Sequence, residues 1–383
     1  MRLFLLVFFF LYGALHLHVF LRARAAFDFG ARIGIVLALF LIVMVLAPII
    51  IRWSESVGFD LFARYMAWMG YIWLGFVFLF FSASLLVDFY RLVVYLGSAL
   101  LHKDLAFFAL TAKMVFIIPF FIAICISVYG YNEALNIRTE HVVINTTKLP
   151  KGVDRIRIAQ ISDVHLGLLV RRERLGLILE KVKAAAPDIL VSTGDLVDGQ
   201  INNLEGLADM IKEINPRYGK FAVLGNHEYY AGLKQAIEFK KIAGFTLLRG
   251  EGVSIDGIIN LIGVDDPAAK YFNGYDESME RRLLASFPRE RFTILLKHRP
   301  LINKDSLGLF DLQLSGHVHK GQIFPFSLLT KIYYPKDAGL LRVNGGILYV
   351  SRGSGTWGPP IRFLAPPEVT VIDIVRGDDR KGT

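Results

Sequence analysis

Four long uncharged apolar runs fill the first third of the chain, and shorter alternating or continuous ones punctuate the rest. Leu3–Leu21, Ile33–Ile51, Met66–Val87 and Met114–Tyr131 contain no Asp, Glu, Lys or Arg. Each comes close to the ~20 apolar residues that a bilayer crossing requires. Four membrane helices are predicted, with a fifth as the alternative count. The fourth is expected to reach upstream through LAFFALTA (Leu105–Ala112), while LVVYLGSALL (Leu92–Leu101) reads as interfacial or as a continuation of the third. A cleaved signal peptide is the competing reading of the first run. His16 and His18 within it read as polar residues facing neighbouring helices.

After about residue 136 the periodicity becomes that of a globular domain, giving a membrane domain over 1–135 and a second domain over 136–383. Ile156–Ile161 reads as a strand, the stretch from Arg172 as a helix stopping at Pro187, and DILVSTGDLVDG as a buried strand running into a glycine turn. LEGLADMIKEIN reads as a helix, GKFAVLGNHEYY as strand then turn, and LKQAIEFKKIAG as a helix closed by Gly244. Asn132–Ile156 reads as a short linker, and strands dominate after Phe245. Alternation followed by a strand-rich half predicts two sheets packed face to face with helices outside.

The 383 residues are 54% hydrophobic, with a mean hydropathy of +0.46. That is too apolar for a soluble protein and too polar for one wholly in the membrane. An integral protein of the cell membrane is expected. Basic residues fall on both sides of the spans (Arg22, Arg24, Arg32, Arg91, Lys103 and Lys113 against Arg138, Lys148 and Lys151), so charge does not assign the side of the second domain. The lone Cys125 excludes an intramolecular disulfide. After Glu140, 33 Lys+Arg stand against 27 Asp+Glu, a net of +6. This modest excess suits an anionic bilayer surface or phosphate and lacks the dense basic runs of a nucleic-acid binder.

Polar residues recur where the predicted strands end, which is where open α/β sheets bind ligands. They are Asp163 and His165; Asp195 and Asp198; Asn226, His227 and Glu228; His298; and His317 and His319. Every histidine after His141 falls in one of these turns, with none expected on a helix face. His317 and His319 flank one valine, so an extended chain would point both to one face.

The series Asp-x-His, Gly-Asp-x-x-Asp, Gly-Asn-His-Glu, His-x-Pro, Gly-His-x-His resembles the calcineurin-like metallophosphoesterases over about Ile156–Ile374. The tail YVSRGSGTWGPPIRFLAPPEV is similar to the branch of YkuE- and YaeI-type membrane-associated enzymes, and the leading spans to the transmembrane protein with metallophosphoesterase domain. The resemblance implies a four-layer α-β-β-α sandwich and two divalent metal ions (Mn, Fe, Zn or Mg). It gives one ion Asp163, His165 and His319, the other Asn226, His298 and His317, with Asp195 bridging. A carboxylate has two oxygens and can span ions about 3.5–4 Å apart. By the same resemblance, metal-bound hydroxide attacks the phosphorus. His227 serves the leaving oxygen as general acid or cationic stabiliser, its ring oriented and charged by Asp198 and Glu228, where the family more often has Asp at position 228. Gly316 and Gly321 are expected to permit tight backbone there.

The implied activity is a membrane-anchored phosphoesterase or pyrophosphatase, with a lipid-linked phosphoester as the sharper reading of its substrate. Partners are then the lipid bilayer and the phosphoester, without nucleic acid. A sensor that kept the fold and lost turnover would be expected to lack a ligand residue, and all seven are present. A nuclease on this fold would be expected to show a basic, aromatic-lined groove.

Overall fold

The computed structural model describes residues 2–199, 204, 206–272, 276, 278–334 and 336–377. Helices α1 (Arg2–Phe27), α2 (Ala31–Ser56), α3 (Asp60–Leu101) and α4 (Ala112–Leu135) open the chain. Among the described residues these make four segments long and apolar enough to cross a membrane. LVVYLGSALL continues α3, which runs unbroken for 42 residues. The expected upstream extension of α4 is not helical throughout: Ala106–Phe108 form a separate 3-10 turn, and α4 begins only at Ala112. Small residues let α2 and α3 approach closely, since a Cβ on Gly70 would stand 2.8 Å from the Cβ of Ala47. His16 is a satisfied packing residue. Its Nδ1 donates to Tyr12 O (2.7 Å) and its Nε2 accepts from Trp73 Nε1 (2.9 Å).

The chain divides into two compact units, Met1–Asn132 with Gly358–Ile361, and Glu133–Trp357 with Arg362–Thr383. The second unit holds strands β1 (Arg138–Thr146) and β2 (Arg155–Ile161), helix α5 (Arg172–Ala185), β3 (Ile189–Ser192), α6 (Leu207–Lys212), β4 (Lys220–Ala222) and α7 (Asn226–Ile242). Strands β5 (Thr246–Leu247), β6 (Glu251–Ile255) and β7 (Ile259–Gly263), helix α8 (Met279–Ala285), and strands β8 (Phe292–Leu296) and β9 (Leu312–Ser315) follow. Helix α9 (Phe326–Tyr333) and strands β10 (Gly339–Val343), β11 (Gly346–Val350) and β12 (Glu368–Arg376) complete it.

Two six-stranded sheets result, ordered β1-β12-β2-β3-β4-β5 and β10-β11-β9-β8-β7-β6. Their facing sides share one core, in which Ile158, Ile189, Val191 and Val223 meet Leu261, Ile294, Leu296 and Leu314. Helices α5, α6 and α7 cover the other side of the first sheet through Leu175, Ile178, Ile211 and Phe239, and Leu284 of α8 packs with Ile262 and Leu295 beyond the second. These are the four layers α-β-β-α.

Two expectations are corrected. The stretch read as a linker contains β1, paired in parallel with β12 from Arg138↔Glu368 to Thr146↔Arg376. An edge strand of mixed exposure carries only a short apolar signal, here Val142–Ile144. His227 lies in the first turn of α7 rather than in a loop, because the chain passes from Gly225 directly into the helix.

Candidate metal centre

The loops after β2, β3, β8 and β9 and the first turn of α7, which follows β4, supply the polar residues, all from chain that has just left a strand. Main-chain bonds lace the first two together: Asp163 N–H donates to Gly194 O and His165 N–H to Asp195 O, both at 3.0 Å. Asp163 (φ 52), His165 (φ 54), Asp195 (φ 50), His317 (φ 74) and His319 (φ 48) all adopt left-handed backbone. Non-glycine residues rarely do so, and such strain gathers at functional sites where surrounding structure enforces it. Gly316 shows how close the packing is: a Cβ there would sit 2.2 Å from Asp163 Oδ2. Beyond β9 the chain is no longer extended, so His317 and His319 do not share a strand face as the spacing predicts. They diverge toward different neighbours.

His319 Nε2 lies 3.1 Å from His165 Nε2 and 3.5 Å from Asp163 Oδ1. His317 Nδ1 lies 3.2 Å from His298 Nε2, which is 3.1 Å from Asp195 Oδ2 and 3.2 Å from Asn226 Oδ1. Asp163, His165 and His319 are therefore grouped closely enough to hold a metal ion, as are Asp195, His298 and His317. Asp195 also approaches the first group, with Oδ2 3.9 Å from His165 Nε2. A third grouping joins His165 and Asp195 to His227.

The donor chemistry fits a cation. Metal–nitrogen bonds of about 2.0–2.1 Å place neighbouring ligands of one shell roughly 3 Å apart, which matches these separations. His298 Nδ1 faces the Thr193 carbonyl at 2.8 Å, an acceptor only, so that nitrogen carries the ring proton. In the neutral ring Nε2 is then a lone pair, faced by oxygens of Asp195 and Asn226 and by Nδ1 of His317. Their pull on positive charge is plain. Burial disfavours the imidazolium of His298, yet the Asp195 carboxylate raises its pKa to about 10. Burial pushes the Asp163 carboxyl up to about 6, and burial with the neighbouring His227 pushes His165 down to about 4. Neutral imidazoles are the form that binds metal. His165 Nδ1 is buried without a hydrogen-bond partner.

His227 stands beside these groups. Its Nδ1 pairs with Asp198 Oδ1 at 2.8 Å, and its main-chain N–H donates to Asp195 Oδ1 at 2.8 Å. Burial opposes its charge, but Asp195 and Asp198 raise its pKa to about 9. Nearby divalent cations would oppose that rise.

Comparison with known proteins agrees. Residues 156–321 match the calcineurin-like phosphoesterase family. An uncharacterized metallophosphoesterase of Aquifex aeolicus (strain VF5) is 42% identical over 256 residues, covering 66% of this chain and 98% of that protein. This chain belongs to the calcineurin-like metallophosphoesterases. It is also similar to the metallophosphoesterase YkuE of Bacillus subtilis (strain 168), 31% identical over 64% of this chain and 89% of that protein. The transmembrane protein with metallophosphoesterase domain of Danio rerio is 32% identical over 67% of this chain and 62% of that protein. Membership makes the chain a metal-dependent phosphoester hydrolase, and the apolar helices together with this last relative mark it as a membrane protein.

Glu228 of this metallophosphoesterase adds its charge to those that raise the His227 pKa, while its hydrogen bonds go elsewhere. Its carboxylate accepts from the main-chain N–H of Asp195 (2.9 Å), Leu196 (2.7 Å) and Gly225 (2.7 Å), and pairs with Lys240 Nζ at 3.1 Å. It ties the Asp195 loop to the start of α7, and the hydrogen bond to the ring of His227 is left to Asp198. Both Glu228 and Lys240 have no solvent exposure. Removing one member of such a pair leaves the other charged, buried and unmatched. Glu228→Gln is expected to lower stability by about 3–5 kcal/mol, read as a lowered unfolding midpoint in detergent. Recovery of the midpoint in Glu228→Gln/Lys240→Met would assign the loss to the stranded ammonium.

Sequence reasoning missed Arg362. It is wholly buried, with Nη1 donating to the carbonyls of Arg352 (2.7 Å), His319 (3.1 Å) and Ala365 (3.2 Å), and Nη2 lying 3.1 Å from His319 Nδ1. Burial lowers its pKa to about 9. It braces the glycine-rich tail against the last histidine. Only an arginine lodged between apolar residues (IRFLAPP) signalled it in the sequence. Trp357 and Tyr230 pack edge-on against His227, with ring centres 5.5 and 5.8 Å away, and Tyr334 packs against His317 at 5.7 Å.

Proposed function

We propose that this metallophosphoesterase hydrolyses a lipid-linked phosphoester or pyrophosphate at a centre of two divalent ions. Asp163, His165 and His319 would hold one ion, Asn226, His298 and His317 the other, with Asp195 shared. The observation that carries the reading is the convergence of Asp195, Asn226 and His317 on Nε2 of His298, with His165 and His319 meeting beside it. Divalent ions bound there would lower the pKa of a coordinated water toward ~7 and offset phosphoryl charge. Asp198 holds the Nδ1 proton of His227, which leaves Nε2 to deliver a proton to the departing oxygen. Glu228 and Arg362 keep the ligand-bearing loops in place.

The lipid assignment is supported by the rings around the polar centre. Trp357 and Tyr230, which pack on His227, are both exposed, an apolar lining of the kind ligand pockets present to apolar groups. Full-length protein in mixed micelles provides the test, using one lipid phosphoester and one water-soluble phosphodiester. Trp357→Ala is expected to lower kcat/KM for the lipid by about 10–200-fold, the effect of losing a modest apolar contact, and to leave the soluble substrate nearly unchanged. An unaltered ratio of the two activities would remove the lipid assignment and leave the hydrolase reading intact.

A further inference from the structure

Helix α9 is built inside out for a protein in water. On a 100° wheel Leu328, Leu329, Ile332 and Tyr333 occupy one arc, and Ser327, Thr330 and Lys331 the other. A helix on a soluble domain turns its apolar arc to the core. Here that arc faces out: Leu328 is 54% exposed, Leu329 58%, Ile332 82% and Tyr333 68%. Ser327 and Thr330 are the half-buried members, and the Thr330 hydroxyl is satisfied by Ser327 O at 3.0 Å. No residue of α9 is buried.

We propose that α9 is an interfacial helix that enters the outer few ångströms of a phospholipid bilayer, the one its own chain spans. Three observations select lipid as the occupant. The chain carries four candidate spans, and the last of them ends at Leu135, only three residues before β1 opens at Arg138. The unit bearing α9 is thereby tethered to a membrane. The composition of the exposed arc is that of an interfacial helix, aliphatic at its centre with Tyr333 at its end, where the amphipathic ring suits the headgroup level. Lys331 lies at the edge of the arc, 59% exposed, its Nζ 3.8 Å from Asp337 Oδ2 on a stem long enough to reach lipid phosphate instead. Tyr334, the next residue, packs on His317, so the helix adjoins the candidate centre. A membrane-seated α9 would hold the centre's mouth at headgroup depth, where a lipid-linked phosphate resides. This last point rests on the proposed substrate, whereas the seating of α9 does not.

The test uses full-length protein with Cys125→Ser, reconstituted into phosphatidylcholine–phosphatidylglycerol vesicles and labelled with an environment-sensitive fluorophore at Ile332→Cys or, as an exposed control, at Glu290→Cys. The label at 332 is expected to be quenched by spin-labelled lipid and to be about fivefold less accessible to iodide than the label at 290. Adding Leu329→Asp should restore iodide access at 332. Equal iodide access at the two positions would overturn the proposal. So would a 332–332 disulfide forming in proportion to protein density in the membrane, which would show the arc covered by a second copy. Neither readout involves substrate, so failure here is distinct from failure of the lipid-substrate assignment.

Discussion

His227→Ala is expected to lower kcat on alkyl phosphoesters by about 10²–10⁴-fold, the usual worth of general acid assistance. A nitrophenyl ester should lose far less, because nitrophenolate departs without a proton. Metal content should stay at the wild-type level. Asp198 fixes Nδ1 of the ring, and the Asp195 and Asp198 charges favour the imidazolium, which leaves a protonated Nε2 as the usable group. Equal losses on both esters would leave only electrostatic stabilisation of the phosphoryl group. Loss of metal would instead make His227 a ligand, as the grouping of His165, Asp195 and His227 permits.

Asp195→Asn should weaken both ions together, each by more than the about 10–100-fold that follows loss of a partner outside the ligand shell, and should abolish measurable turnover. Asparagine keeps the shape and one acceptor oxygen but loses the charge and the second anionic oxygen. The Asp195 carboxyl is buried, yet His298 and His227 hold its pKa well below the usual carboxylate range. It approaches both groups of histidines, at 3.1 Å from His298 Nε2 and 3.9 Å from His165 Nε2. Titration of metal-stripped variant with Mn²⁺ or Zn²⁺ distinguishes the outcomes. Two tight equivalents in Asp195→Asn would exclude a shared carboxylate, and loss of one ion alone would make Asp195 a ligand to a single site.

Much of the centre was legible because metal chemistry restricts residue types and because strands present their carboxyl ends together. The grouping of Asp163, His165 and His319, and of Asp195, His298 and His317 with Asn226 beside His298, follows from motifs that each trail a strand. What the sequence withheld depends on backbone direction and long-range partners. The i, i+2 rule failed for His317 and His319 because β9 stops at Ser315 and left-handed backbone re-aims both rings. Glu228 acts on the adjacent histidine through charge and not through a hydrogen bond, because the first turn of α7 points its carboxylate back toward the N–H groups of the Asp195 loop. No local pattern couples Glu228 to Lys240 or Arg362 to His319, since three turns of helix or a long stretch of chain separate them. Strand β1 was hidden for a different reason. Its partner β12 lies over 200 residues downstream, and only two of its nine side chains are buried.

The measurement that bears most directly on the account is the metal content of purified full-length protein, determined by elemental analysis after exchange into metal-free buffer. Two equivalents of divalent ion per chain are predicted, both removed by chelator together with turnover and both restored on reloading. A single equivalent that supports full activity, or full activity with none, would contradict a two-ion centre at these residues.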